Sequence, residues 1–248
     1  HDDAIRAGAL FLGRRSGALE PVTAQRAHQR SRDDPDVTMA EGDKVCEHIH
    51  FPLQSGSDRT LAAMHRGYTA ERYLEKLAAA RAGIDDLAVT TDLIVGFPGE
   101  TDDDFEQTLE VVVAAEYDSA YTFIFSPREG TEAAGMADRF VDPAAVGERF
   151  ERLRVVVERS ALAKHQARIG RVEQIVVEGP SKRDRSVLSG RTAQNKLLHF
   201  RSERALRPGT LATARVVDAG PHFLRGELVE VLASPRHRTS IRVAVAGG

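Results

Sequence analysis

The sequence predicts an α/β domain built on a parallel sheet, followed by a small all-β barrel. Between residues 45 and 157, apolar runs with strand spacing alternate with stretches of helical spacing, which is the pattern of βαβ units. After Gly170, five short β-rich runs follow one another, separated by Gly, Pro, Asn, Asp or Lys. Such closely spaced short strands are typical of a closed barrel of the oligonucleotide-binding type. We therefore expect two parts of different architecture.

The composition is that of a protein that buries a core and does not cross a membrane. Of the 248 residues, 42% are hydrophobic. No run approaches the roughly 18 apolar residues that span a bilayer, and the first residues carry no secretory signal, so a cytoplasmic location is expected. The one cysteine, Cys46, excludes an intrachain disulfide and a metal cluster built on cysteines of this chain. We expect a buried, inert thiol there.

The net charge of −3 hides an uneven distribution. Residues 41–150 carry a net charge of −13, whereas residues 151–248 carry +10. A basic C-terminal part on an acidic body indicates that this part contacts a polyanion. A solvated, arginine-rich surface explains the same charge, and the charge alone leaves both interpretations open.

Capping signals and hydrophobic periodicity place the elements of the first part. Thr69 and Thr101 are candidate helix N-caps, as is either Ser57 or Asp58. The predicted strands are 45–53, 88–95 and 120–125, and the predicted helices begin at about 58, 70, 102 and 143. Three consecutive acidic residues open the third helix: Asp102, Asp103 and Asp104. Their charge stabilises a helix N-terminus, an explanation that we prefer to a metal cluster.

Each predicted strand of the first part ends in a polar, glycine-containing loop. The loops are 54–57, 92–100 and 126–131. Ligands of parallel sheets bind beyond the carboxyl ends of the strands, so the three loops are candidates for one binding site. An ordinary turn explains each loop taken singly. For His48 and His50, which share one strand face, we favour packed or hydrogen-bonded side chains over a metal pair, because no further ligand completes a site.

The second part is divided by its turn residues. The β-rich runs are 172–178, 187–192, 196–200, 211–218 and 222–232. We expect domains at 39–169 and 170–233, with a poorly ordered segment at 1–38 and a tail at 234–248.

Four segments of the sequence resemble motifs of the radical-SAM tRNA methylthiotransferases in order and spacing. They are HFPLQSGSD at 50–58, MHRGYT at 64–69, TDLIVGFPGET at 91–101 and FSPREGT at 125–131. The second part resembles a TRAM domain through VEGPSK at 177–182, GRT at 190–192 and LRGE at 224–227. Within the class, QSGS at 54–57 and GRTAQN at 190–195 are most similar to the branch that methylthiolates isopentenyl-adenosine beside the anticodon.

The resemblance implies a partial (β/α) radical-SAM barrel followed by an OB-like TRAM barrel. The implied activity is radical methylthiolation of tRNA, with S-adenosylmethionine (SAM) and two 4Fe–4S clusters as cofactors. The implied partners are the tRNA anticodon stem-loop and a reducing electron donor, with no membrane and no DNA.

The resemblance also implies residues for both sites. Those implied for cofactor binding are Gln54, Ser55, Gly56, Ser57, Asp92, Ile94, Gly96, Ser126 and Arg128. Those implied for RNA binding are Lys182, Arg183, Arg191, Asn195, Lys196 and Arg225. Phe200 either stacks on a base or, as we prefer, packs in the barrel core.

Parts of the family's pattern are missing from the sequence. In the family, three closely spaced cysteines hold the radical-generating cluster and an N-terminal domain supplies three more; Cys46 alone cannot replace them. Residues 1–38, if not simply poorly ordered, are expected to lie outside the family, because they contain nothing that resembles its first strand–helix units. The abrupt change of sequence pattern near Met39 predicts a truncated, frameshifted or misjoined reading frame, which translation of the upstream DNA tests. A sheet without its remaining barrel strands is expected to associate through its edge. Two alternatives stay open: a catalytically inactive RNA-binding fragment and a generic α/β SAM-binding module.

Overall fold

The computed structural model describes residues 45–235, and the chain divides into two compact units, His1–Lys164 and His165–Gly248. The predictions for residues 1–38 and for most of the tail lie outside the described residues. Within the described range, no helix is both long and apolar enough to cross a membrane.

The first unit contains a parallel sheet of three strands in the order β1–β2–β3, interspersed with helices. The strands are β1 (His48–His50), β2 (Ala88–Val95) and β3 (Ser119–Ile124). The helices are α1 (Asp58–Ala63), α2 (Ala70–Gly83), α3 (Asp102–Ala115) and α4 (Pro143–Gln166), the last preceded by two short 3₁₀ turns at Glu132–Gly135 and Ala137–Arg139. The strand–helix alternation read from the sequence is therefore confirmed.

The helices begin at the predicted caps. The side chains of Ser57, Thr69 and Thr101 each accept a hydrogen bond from a backbone N–H in the first turn of their helix. Asp104 completes a capping box with Thr101, since each side chain bonds the other residue's backbone N–H. The acidic start of α3 is thus a helix N-terminus, as predicted.

β1 is shorter than predicted, with three residues instead of the range 45–53. Pro52 has no N–H to donate to a sheet, and Gln54 has a φ of 69°, in the left-handed region. Regular pairing therefore stops after His50, and the chain returns to β2 through a single bridge between Gln54 and Leu93.

The sheet has one buried and one open face within the described residues. The side chains at odd positions of β2 are buried, and its apolar ones pack with residues of the helices; those at even positions are only partly buried, apart from Ala88. Asp92 and Ile94 pair in register with two β3 aromatics, Tyr121 (62% exposed) and Phe123 (50% exposed). We call this side the open face, and it is defined by His48, His50, Thr90, Asp92, Ile94, Tyr121 and Phe123.

The second unit is a closed five-stranded barrel with the strand order β4–β5–β6–β8–β7, which confirms the predicted small barrel. The strands are β4 (Val172–Pro180), β5 (Leu188–Thr192), β6 (Leu197–Arg201), β7 (Leu211–Gly220) and β8 (Phe223–Ala233). All neighbours pair antiparallel except β6 and β8. Phe200 is 2% exposed among the core residues, so the core position that we preferred for it is confirmed.

Candidate cofactor site and nucleic-acid surface

The three predicted loops lie at one edge of the sheet. The Gln54 N–H donates to the Asp92 carbonyl (2.8 Å), and the Ile94 N–H donates to the Gln54 carbonyl (2.9 Å), so the loop after β1 lies against the end of β2. The Phe125 N–H donates to the Val95 carbonyl (2.8 Å), which brings the start of the loop after β3 to the same edge. The carboxyl ends of three parallel strands thus converge, as a ligand site of this fold class requires.

The loop 54–57 is fixed to α3. Ser55 Oγ lies 3.3 Å from Thr108 Oγ1, which also accepts the Gly56 N–H (3.0 Å). Ser57 Oγ donates to Asp104 Oδ1 (2.6 Å). Both serines are 1% exposed, so their hydroxyls hold the loop in place. A direct contact of either serine, or of Gly56, with a cofactor stays a prediction.

Asp104 joins this loop to the start of α3. Its carboxylate accepts hydrogen bonds from Ser57, Thr101 and Arg59. Burial by itself raises the pKa of Asp104, but these hydrogen bonds, led by that of Arg59, outweigh it and hold the pKa far below its ordinary value of 3.8. The charged carboxylate therefore stabilises the fold above that value, and the contribution is lost as the pH falls through the lowered pKa.

A buried ion pair fixes the loop after β2. The Gly96 N–H (φ 76°) faces both carboxylate oxygens of Glu100 at 3.2 Å. Arg149 of α4 donates to Glu100 Oε1 (2.8 Å) and to Asp102 Oδ1 (2.6 Å). Burial outweighs these partners and raises the pKa of Glu100. Because the Gly96 amide is used within the loop, a contact of Gly96 with a cofactor stays a prediction.

The open face carries a chain of hydrogen-bonded polar side chains. His48 Nε2 lies 3.2 Å and His50 Nδ1 lies 3.0 Å from Thr90 Oγ1. His50 Nε2 lies 3.3 Å from Asp92 Oδ2, and the Tyr121 ring meets the His50 ring edge-on at 6.1 Å. The two histidines are hydrogen-bonded, as predicted. The sequence analysis missed Tyr121, although the alternation of β3 contained the signal that would have placed it beside Asp92.

The loop after β3 presents a cation at the surface. Ser126 and Arg128 are exposed, and the Arg128 carbonyl accepts hydrogen bonds from Thr131 Oγ1 (2.7 Å) and from the Thr131 N–H (3.1 Å). This turn leaves the Arg128 guanidinium exposed, and such a group binds carboxylates and phosphates in a bidentate manner.

Four of the predicted RNA-binding side chains are exposed on the surface of the barrel. Lys182 and Arg183 are exposed in the loop between β4 and β5, and Asn195 is exposed in the turn after β5 with a φ of 57°. Arg225 of β8 is 62% exposed and pairs with Asp218 at 3.2 Å. Charges in such positions can exchange a surface partner for a phosphate at little cost.

The remaining two predicted RNA-binding residues differ in their exposure to solvent. Arg191 of β5 is partly exposed, lies 3.3 Å from Glu178 and donates to the Asn195 carbonyl (3.0 Å). Lys196 is 4% exposed, because its side chain turns into the protein after the Asn195 turn. This burial counts against a phosphate contact by Lys196. The alternation that puts Leu198 and Phe200 in the core extends back to Lys196 and was the signal for its burial.

The barrel surface also contains two residues that the sequence analysis did not single out. His199 of β6 pairs in register with Ser189 of β5 and Arg225 of β8, and its ring is 5.8 Å from that of Phe223. The alternation of β6, which puts Leu198 and Phe200 in the core, was the signal that places His199 outside.

No group of three or more His, Cys, Asp or Glu side chains within residues 45–235 is placed to hold a metal ion. Cys46 is a free thiol and 7% exposed, which confirms its predicted burial.

Comparison with protein families gives a match to the Radical SAM superfamily over residues 32–112. This match begins inside the segment that we expected to lie outside the family. A solved coproporphyrinogen III oxidase from Escherichia coli, described as a radical SAM enzyme, aligns with 46% of this chain and 27% of its own at 19% identity and a TM-score of 0.40. That likeness is too low to add to the fold assignment.

Curated relatives at higher identity share one name, tRNA-2-methylthio-N(6)-dimethylallyladenosine synthase. The protein of Moorella thermoacetica is 48% identical over 233 residues, which are 91% of this chain and 52% of the relative. Those of Thermoanaerobacter sp. and Acidothermus cellulolyticus are 43% and 46% identical, over 86% and 85% of this chain and 45% and 43% of the relatives. The chain thus spans about half the length of the curated relatives it matches.

Proposed function

We propose, on the premise that this chain belongs to the radical-SAM tRNA methylthiotransferase family, that it serves the SAM-dependent methylthiolation of isopentenyl-adenosine beside the anticodon of tRNA. The observation that carries the proposal is the joint presence of three converging strand ends and a separate barrel with exposed cations. The barrel is the part that we assign as a TRAM domain. We propose the cytoplasm as the location of this reaction.

SAM binds, in this proposal, at the edge of the sheet where the three loops converge. Gln54, Asp92 and Ile94 are joined there by backbone hydrogen bonds, and the side chains of Asp92 and Ile94 point to the open face. Arg128 and Ser126 lie in the third loop, where the guanidinium suits the carboxylate of SAM. When bound, SAM supplies the reactive radical and the methyl group; these residues bind and orient it.

The residues of this chain do not fit an iron–sulfur cluster. A 4Fe–4S cluster needs several thiolate ligands, and the chain contains one cysteine, which is buried. The number of clusters in the family enzyme and the identity of an electron donor stay predictions.

The presence of a single, buried cysteine favours a second function: an RNA-binding protein without chemistry that acts through its barrel. The two functions differ in SAM binding, because only the first requires a cofactor site on the sheet. A generic SAM-binding module is the third possibility, and it requires no affinity for RNA.

Binding of tRNA to the full chain is expected to weaken steeply with salt. Each phosphate that a Lys or Arg neutralises contributes about 0.9 to the slope of log affinity against log salt. Replacement of Lys182 and Arg183 by alanine is expected to lower the slope by about 1 to 2, and the matched control is alanine at Arg72 and Lys76, an exposed pair on α2 of the first unit. Fluorescence anisotropy with labelled tRNA between 50 and 300 mM KCl, about the range where such contacts respond, measures the slope.

SAM calorimetry on the same preparation separates the three functions. Salt-dependent tRNA binding together with SAM binding supports the proposal. Binding of tRNA without SAM supports the RNA-binding protein, and binding of SAM without tRNA supports the generic module. If the K182A/R183A variant and the control lose affinity equally, the assignment of the barrel loop is wrong.

A further inference from the structure

A histidine, an arginine and a phenylalanine meet on the outer surface of the barrel where β6 and β8 are neighbours. Arg191 lies on the same face of β5, two residues from the serine that pairs with the histidine. His199 pairs in register with Ser189 on one side and with Arg225 on the other. Ser189 Oγ lies 3.1 Å from His199 Nδ1. The Arg225 guanidinium carbon lies 5.2 Å from the centre of the Phe223 ring, which is 5.8 Å from the imidazole. These side chains form one continuous patch.

The charged groups around His199 are of both signs. The cations are Arg191, Arg201, Arg204 and Arg225; the anions are Glu178, Asp184, Glu203, Asp218, Glu227 and Glu230. The pKa of His199 lies below its ordinary value of 6.5, first because of burial and then because of Arg225 and Arg191. Burial and both arginines therefore disfavour the charged imidazolium.

Two residues of the patch, His199 and Arg225, also line an open groove of about 1270 Å³. The other charged residues of its lining are the cations Arg201 and Arg204 and the anions Asp184, Glu203, Glu227 and Glu230. The pairs that Arg191 and Arg225 make with Glu178 and Asp218 are surface ion pairs, which contribute little and exchange readily for another anion.

We propose that His199, Arg191 and Arg225 form a phosphodiester-binding subsite on the barrel, and that RNA binding there is coupled to the uptake of one proton by His199. The inference rests on the proposed function, since it takes RNA as the source of the phosphodiester. A phosphate anion beside the two arginines offsets their effect on the imidazolium. In the tautomer whose Nδ1–H donates to Ser189 Oγ, Nε2 takes up the proton from solvent and then donates a hydrogen bond to a phosphate oxygen.

The sign of the linkage follows from the direction of the change. Binding raises the pKa of His199, so the affinity for RNA increases as the pH falls through the range between the free and the bound pKa. Each pKa unit by which binding raises the pKa of His199 makes the affinity for RNA about tenfold higher at low pH than at high pH.

The test is the affinity of the full chain for tRNA at pH 5.5 to 8.0 and constant salt, for the wild type, His199→Gln and His65→Gln. His65 is an exposed histidine of the first unit and serves as the matched control. We expect the wild type and H65Q to bind about tenfold more tightly at pH 5.5 than at pH 8.0, and H199Q to keep the weaker, high-pH affinity throughout. The imidazole titration of His199 by NMR, with and without tRNA, gives a second measurement on the wild type that does not depend on a variant folding.

The possible outcomes separate this inference from the proposed function. If the chain binds tRNA with the same pH dependence in H199Q as in the wild type, or if tRNA leaves the His199 titration unchanged, the subsite is wrong and the proposed function stands. If the chain binds no tRNA at any pH, both are wrong.

Discussion

Replacement of Arg149 by methionine is expected to destabilise the first unit by about 3–5 kcal/mol, the largest effect of any single side chain considered. Arg149 and Glu100 are each 7% exposed, and the guanidinium is the cation that faces the buried carboxylate. Methionine fills a similar volume but leaves the Glu100 charge with only the Gly96 N–H as a hydrogen-bond donor in the loop. The loop after β2, at the proposed cofactor edge, loses its anchor to α4.

The loss of stability in R149M is expected to decrease as the pH falls. Burial already raises the pKa of Glu100 above its ordinary value of 4.5, and removal of the guanidinium raises the pKa further. A carboxyl group with a raised pKa favours folding at low pH and loses that contribution as the pH rises through the folded-state pKa. The difference between R149M and the wild type is therefore expected to shrink as the pH falls toward 4.5.

Urea unfolding followed by tyrosine fluorescence measures the effect. The four tyrosines, Tyr68, Tyr73, Tyr117 and Tyr121, all lie in the first unit and the chain has no tryptophan, so the signal reports on that unit alone. The double variant R149M/E100Q is expected to recover much of the loss, because a neutral partner removes the uncompensated charge. Arg154→Met, which removes an exposed arginine of the same helix, is the control and should leave the midpoint unchanged. An equal shift in R149M and R154M would contradict this role of the ion pair.

Replacement of Gly56 by alanine is expected to destabilise the first unit by about 3 kcal/mol. A Cβ atom at this position would lie 2.6 Å from Thr108 Cα and 2.7 Å from the Gln107 carbonyl oxygen. Both atoms are backbone of α3, so the helix itself must move. That movement breaks the hydrogen bonds of Thr108 with Ser55 and Gly56, and the loop 54–57 loses its position at the sheet edge.

Gly147 provides the matched control for this substitution. It lies inside α4, and a Cβ there would meet no atom within 4 Å. Alanine should therefore stabilise α4 by about 0.5–1 kcal/mol, since it loses less conformational entropy in a helix. The urea midpoints of G56A and G147A are expected to move in opposite directions. A G56A midpoint equal to that of the wild type would show that α3 does not approach the loop as closely as described.

Local signals allowed the elements to be predicted, and long-range contacts explain what was missed. The caps at Thr69 and Thr101 depend on side-chain-to-backbone bonds within one turn, so sequence reveals them. The shortening of β1 depends on the left-handed backbone conformation of Gln54, which cannot be predicted from a glutamine at that position.

The candidate site shows the same division. The loops at the strand ends were predicted because topology brings such loops together in any parallel sheet. Their chemistry was not, because it depends on partners far along the chain. Ser55 binds Thr108 and Ser57 binds Asp104. No periodicity in the sequence contains those pairings.

A chimera tests the central proposal most directly, because this chain spans about half the length of its relatives. The part of the Moorella thermoacetica synthase that aligns with residues 45–235 of this chain is replaced by those residues, and the tRNA of cells that depend on the chimera is analysed by mass spectrometry. We expect 2-methylthio-modified isopentenyl-adenosine, with less of it when Arg191 and Arg225 are both replaced by alanine. A chimera that folds, retains iron and binds tRNA yet forms none of this nucleoside would contradict the assignment.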